Sequence, residues 1–346
     1  MSKEESASAR FSINWVATSL FVLACAGLLI LFGYFGNLWL YLKAVLGVAW
    51  DHQLASWPSV ISNWSAIFLS GPIILIAILL IEHIRPWRKL QKRFREEFWL
   101  DMIYNMFSFA LFNIIGGAAA FALIVIPFDD FLANVFNARY PLVYIIDEVP
   151  MWIRIVILVV SSEFVSYWAH RLEHNVNFLW QFHKIHHSAL ELDVMNAQRL
   201  HWFEVLWLNL FSYIALGIIG FNAVEIGVIT FCSNFLCYFT HANVYVPIGK
   251  LKYIINSPQM HIWHHAIDVD PKRSVNYGSA LSIWDWIYRT AYFPENTRGD
   301  GNLKLGFEGV DAFPKTFVGQ FICPFRVLGE KLLRIFIAPR PVNTGD

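Results

Sequence analysis

The chain has 346 residues, 57% of them hydrophobic and only 15% charged, with zero formal net charge and a mean hydropathy of +0.47. Soluble chains of this length carry more charge, and the basic residues are not gathered with aromatics into a surface for nucleic acid. The four cysteines, Cys25, Cys232, Cys237 and Cys323, include no CxxC pair, so they read as packed thiols rather than a disulfide framework or a zinc–thiolate site.

A helix needs about 20 apolar residues to cross the hydrocarbon core. Residues 11–35 meet that length; they follow Glu4 and Glu5 rather than a basic region, so the segment reads as an anchor and not a signal peptide. Further candidates are 63–81, 99–128 and 150–168. Residues 205–240 are apolar for long enough to form a hairpin, broken near Gly217, Gly220 and Asn222, as two short spans or a re-entrant pair. Arg85, Arg88, Lys89, Lys92, Arg93 and Arg95 crowd the stretch after the second span, whereas Asp129, Asp130, Asp147 and Glu148 outnumber Arg139 between the third and fourth. The positive-inside rule then makes the basic loop and both termini cytoplasmic.

Nine histidines fall into a pattern on that same side. His170 and His174 form HxxxH at the end of the fourth span. His183, His186 and His187 form HxxHH, His261, His264 and His265 repeat it after Ser257-Pro258 (a helix start with proline at the first position), and His241 closes the apolar hairpin. Helical spacing puts residues three and four apart on one face, so each motif is expected to present its imidazoles as one cluster. His201 is a tenth candidate; His52, in an expected external loop, and His83, at a membrane edge, stand apart. One zinc site uses three or four protein ligands, so this many imidazoles suggest two ions, with iron, copper, nickel and zinc all suited to the donor. Metal-bound histidines pass their other N–H to a carboxylate or carbonyl, and Glu173, Asp193, Glu204 and Asp268 lie near enough in sequence to accept it.

In this order, HxxxH, HxxHH, a separate histidine after a hairpin and a second HxxHH resemble the fatty acid hydroxylase and sterol desaturase superfamily. The flanks agree: NAQRLHWFE over Asn196 to Glu204, NSPQMHIWHH, the Asn276-Tyr277-Gly278 triplet and Trp284-Asp285. The resemblance covers about 82–294. It implies a non-haem diiron centre with His170, His174, His183, His186, His187, His241, His261, His264 and His265 as ligands, and supports His201 as another. It also implies dioxygen as cosubstrate and two electrons for hydroxylating a fatty acyl, sterol or related lipid, or for desaturating it. No cytochrome b5 haem motif is fused here, so a separate donor is implied, a ferredoxin or cytochrome b5 with its reductase. Zinc can replace iron during purification.

Two other chemistries fit parts of the pattern. HRLEH matches the H-x-x-E-H zinc-hydrolase pattern, with Glu173 as general base, but leaves the other histidines without a role. Metal transport would place its ligands near the bilayer midplane rather than on one side of the spans. The expected architecture is all-α: a multi-pass membrane bundle with a cytoplasmic, histidine-rich diiron cap. Its parts are anchor spans in 1–81, the catalytic domain in 82–294 and a cytoplasmic tail in 295–346. A bacterial cytoplasmic membrane and the endoplasmic reticulum fit that topology equally.

Overall fold

An apolar run free of glycine and proline carries Ile73–Ile84 into a helix, α1; Pro86 then disfavours a helical Arg85 and ends it. The computed structural model describes residues 73–92, 94–106, 148–221, 223–267, 269, 274–294 and 303–337, within the unit Ser70–Asp346. The remaining helices in order are α2 (Phe98–Met106), α3 (Met151–Asn175), α4 (Asn177–His183), α5 (Trp202–Ile219), α6 (Ala223–His241), α7 (Pro258–His264), α8 (Ile283–Ile287) and α9 (Phe317–Ile337). The described residues form no strand; two isolated bridges join Pro86 to Val244 and Ala266 to Leu305.

By length and composition α3 and α5 can each cross a membrane. They pack with α6 through Val165, Leu216, Phe221 and Ile226. Gly220 divides the apolar hairpin into two helices: at φ 109° it takes the left-handed position that closes α5, and α6 starts three residues later. Near the starts of α3 and α6, Arg154 and Glu225 form a buried bidentate pair at 2.6 and 2.9 Å. Each charge offsets the other's desolvation there. α3 carries histidines in its last two turns, α6 ends on one and α5 begins beside one, so the three helices deliver their polar ends to one place.

The segments between and after these helices wrap that place. Val194, Met195 and Ala197 pack on Tyr238 of α6, with Leu75, Ile78 and Leu79 of α1 around them. α9 packs through Cys323 on Leu100, Tyr104 and Ile185, so part of the expected C-terminal tail is a 21-residue helix. The expected first span, the third beyond Met106 and the loop residues Asp129, Asp130, Arg139 and Asp147 lie outside the described residues, as do His52 and Cys25.

Candidate metal centre

α3 carries His170 and His174 on its last two turns, four residues apart and so on one face. A turn at Val176 leads into α4, which ends on His183; the chain then tightens to a 3-10 turn over His186–Ser188. Ser257 and Pro258 start α7 as expected, and it carries His261 and His264 with His265 as its C-cap. His241 is the last residue of α6.

These nine side chains assemble into two groups whose donor atoms lie within 4.8 Å of one another. His170, His174, His183, His187 and His264 form one; His186, His241, His261 and His265 form the other. Each HxxHH motif is therefore divided, contrary to the expectation of one cluster per motif. The first motif gives its i, i+4 pair (His183, His187) to the five-membered group and its i+3 residue (His186) to the four-membered one. The second does the reverse, with His261 and His265 in the four-membered group and His264 in the five-membered one. Helix geometry explains the exchange. Successive residues are about 100° apart, so i+4 falls about 40° to one side of i and i+3 about 60° to the other.

The outer nitrogens fix the tautomers. His170 Nδ1 lies 2.8 Å from the Tyr277 carbonyl, His264 Nδ1 2.7 Å from that of Val275 and His241 Nδ1 2.8 Å from that of Cys237. His183 Nδ1 meets Glu204 Oε1 at 2.6 Å. Carbonyls and carboxylates only accept, so each Nδ1 donates and each neutral ring presents a bare Nε2. Yet His170 Nε2 and His183 Nε2 face each other at 3.1 Å, and His174 and His187 bring their Nε2 atoms to 3.1 and 3.2 Å of His183. In the other group His241 Nε2 stands 3.1 Å from that of His186 and 3.2 Å from that of His261. Between His170 and His183 two lone pairs converge with no proton between them, an arrangement that calls for a cation. Nitrogens about 2 Å from a shared ion stand about 3 Å apart at neighbouring positions. The donor set fits a metal ion in each group. Burial first, and the surrounding imidazoles second, hold His183, His186, His187, His261, His264 and His265 below their usual pKa, in the neutral form a metal requires.

Of the four carboxylates expected behind the ligands, Glu204 and Glu173 are there. Glu173 Oε2 stands 3.5 Å from His183 Nδ1, behind the ring rather than in front of it. Asp193 is placed elsewhere: it takes Arg95 at 2.7 and 3.0 Å and caps the turn at Val194–Gln198. Arg95 also pairs with Asp101, which pairs with Arg199, and Arg199 donates to Ser188 beside His187 at 3.1 Å. Asp193 thus braces the first HxxHH segment through a buried ion network instead of meeting an imidazole. Asp268 lies outside the described residues. His201 belongs to neither group. Its Nδ1 accepts from Phe203 N at 3.1 Å as the N-cap of α5, and its Nε2 donates to the Phe321 carbonyl at 3.1 Å. Burial pushes its pKa down to about 4.

Sequence reasoning missed what supports the carbonyls of Val275 and Tyr277. Asn276 adopts φ 56°, which asparagine tolerates better than most residues, and its side chain donates to Met260 O at 2.8 Å and Tyr292 O at 2.7 Å. Asp285 accepts from Tyr277 N and Gly278 N, both at 2.8 Å, and from Thr290 Oγ1 at 2.7 Å; burial raises its pKa to about 6. Glu163 of α3 accepts from Ala280 N and Leu281 N at 2.8 and 3.1 Å. The Asn-Tyr-Gly and Trp-Asp signatures were visible in the sequence; their service to His170 and His264 was not, because it runs through main-chain atoms.

The family model for fatty acid hydroxylase matches residues 155–290, which hold all nine histidines. An ornithine lipid hydroxylase of Rhizobium tropici, OlsE, is 30% identical over 270 residues, covering 78% of this chain and 77% of that one. Human alkylglycerol monooxygenase is 31% identical over 134 residues, 37% of this chain and 28% of its own length. Methylsterol monooxygenase 1-2 of Arabidopsis thaliana is 25% identical over 139 residues, 40% of this chain and 46% of the relative. The chain thus spans less than half of these last two relatives. No solved structure matches.

Proposed function

This chain belongs to the fatty acid hydroxylase family and is an oxidoreductase of its oxygen-dependent kind, and we propose that it hydroxylates a C–H bond in the apolar part of a membrane lipid, with two iron ions, dioxygen and two electrons. The observation that carries this reading is the pair of imidazole groups whose Nε2 atoms converge, with the Nδ1 atoms of His170, His183, His264 and His241 engaged outward. The nine histidines are the ligands in this reading. His201, engaged at both nitrogens by the backbone, acts as a helix cap. Bound iron would supply the redox chemistry that lets dioxygen attack an unactivated carbon.

The protein's own residues do the rest. Glu204 accepts the His183 Nδ1 proton at 2.6 Å, which orients that ring and raises its donor strength. The carbonyls of Tyr277, Val275 and Cys237 do the same for His170, His264 and His241. Seven of the nine rings are buried and His170 and His174 partly so, which limits water at the reacting carbon. Glu173 stands behind His183, away from the converging nitrogens, and so not in the position the general base of a zinc hydrolase needs.

In this reading 1–81 anchors the chain, 82–294 is the catalytic domain, and the helices form a multi-pass bundle with the centre on the cytoplasmic face, as the basic stretch after α1 favours. A ferredoxin or a cytochrome b5 with its reductase delivers the electrons. The test is lipid mass spectrometry under isotopically labelled dioxygen, on membranes carrying the wild type or His264→Ala. A lipid with one labelled oxygen, found only with the wild type, is the expected result. A lipid short of two hydrogens and free of label would show desaturation instead. No changed lipid, with reductant supplied, would refute both.

A further inference from the structure

The C-terminal helix α9 has two apolar faces; among the described residues one of them packs on the protein, and the other touches it only through the Phe325 ring. Gln320, Cys323 and Pro324 are buried and Val327 half-buried on the inner face, where Tyr104 donates to Gln320 Oε1 at 2.9 Å. At 100° per residue, Val318, Ile322, Phe325, Leu332 and Leu333 fall within roughly 100° of arc on the other side of the helix. All five are between 44% and 63% exposed. A helix whose outer face met water would place polar residues there. Here Arg326 and Glu330 lie beside the stripe and pair at 3.8 Å, Lys315 precedes the helix, and Lys331 lies round toward the inner face.

The stripe also has a definite neighbour. The Phe325 ring stacks with Trp202, centroids 6.4 Å apart and planes 23° from parallel. Trp202 is the first residue of α5, one of the two helices among the described residues able to span a membrane. Tryptophan at the end of a span is a residue of the membrane–water boundary. An apolar stripe that runs on from that residue, with Arg326 at its edge, matches a helix lying in the plane of the boundary.

We propose that α9 is an interfacial helix, its Val318–Ile322–Phe325–Leu332–Leu333 face seated in the lipid of the same membrane leaflet as the metal centre. The proposal rests on the membrane reading given above. It gives the far end of the chain a function: α9 rests on lipid on one side and touches the centre's scaffold on the other, through Gln320 to Ser188 Oγ at 3.4 Å and through the Phe321 carbonyl to His201.

The experiment places a diazirine-bearing leucine analogue in the full-length chain at Ile322, Leu333, Glu330 or Val156, and irradiates it in native membranes. Val156 lies on the exposed side of α3 and reports on the span itself. The expected result is lipid adducts at Val156, Ile322 and Leu333, about tenfold above those at Glu330. Lipid adducts at Val156 combined with adducts from Ile322 and Leu333 to a second copy, to other residues of the chain or to water alone would overturn the proposal and leave the membrane reading standing. No lipid adduct at Val156 either would overturn both.

Discussion

The two imidazole groups are built to the same plan at their centres and differ in what stands behind them. In the five-membered group a carboxylate, Glu204, holds the outer nitrogen of His183, a second, Glu173, lies beside it, and carbonyls hold His170 and His264. In the four-membered group a carbonyl holds His241, while the buried Nδ1 atoms of His186, His261 and His265 have no hydrogen-bond partner among the described residues. An anionic partner makes an imidazole a stronger donor and fixes its ring; a ring without one is weaker and freer. The lesson is that ligand count alone does not rank two sites. The five-membered group should hold its ion more tightly, and the four-membered group should be the one that exchanges.

The comparison can be broken most directly at its centre. His183→Ala removes the nitrogen that three others approach; turnover should fall to background and roughly one of two bound metal equivalents should be lost, read by elemental analysis of the purified protein. Loss of both equivalents would mean that the groups do not bind independently. Next in size, Glu204→Gln should weaken the five-membered group's metal affinity by about 10–100-fold. Chelator titration of the wild type should show two release steps that this variant draws together; a single step in the wild type would end the claim of inequality.

Gly278→Ala should act more modestly and on one side. A Cβ there would meet the Leu281 carbonyl oxygen at 2.4 Å and Asp285 Oδ2 at 2.8 Å, and the backbone oxygen has little room to yield. A loss of about 1–3 kcal/mol is expected from such overpacking, with metal lost from the five-membered group, because the adjacent Tyr277 carbonyl serves His170. Equal loss from both groups would show that the loop supports the fold rather than one site. The smallest effect belongs to His201→Asn. Asparagine is itself a good N-cap, so stability should shift by less than about 1 kcal/mol and metal content should stay the same. A lost equivalent in that variant would restore His201 to the ligand set.

The membership of the centre was legible because histidines at i, i+3 and i+4 are scarce outside metal sites, and His241 was legible from its place at the end of an apolar stretch. The division was not. His186 and His187 are neighbours in the chain yet serve different groups, as do His264 and His265, and only the pairing of two short segments in space decides which way an i+3 residue points. Asp193 shows a second limit. It sits six residues after His187 and reads as a histidine's partner, but Arg95, 98 residues away, takes it. A carboxylate at a fixed distance from a ligand in sequence has no fixed distance in space. The apolar hairpin was legible as such; Gly220, free to take a positive φ, settles where it turns.

The last helix of the chain has a consequence for how the protein is made. Tyr104 finds its partner 216 residues later, in Gln320, and His201 and Ser188 reach theirs in the same turn of α9. A nascent chain that has emerged as far as His265 already holds all nine histidines, but not the helix that packs on Ile185 and Ser188. The support behind the first HxxHH segment is therefore completed only after all nine histidines have been made. A message truncated before Phe317 would give a polypeptide with every one of these histidines present and without the helix that backs the first HxxHH segment.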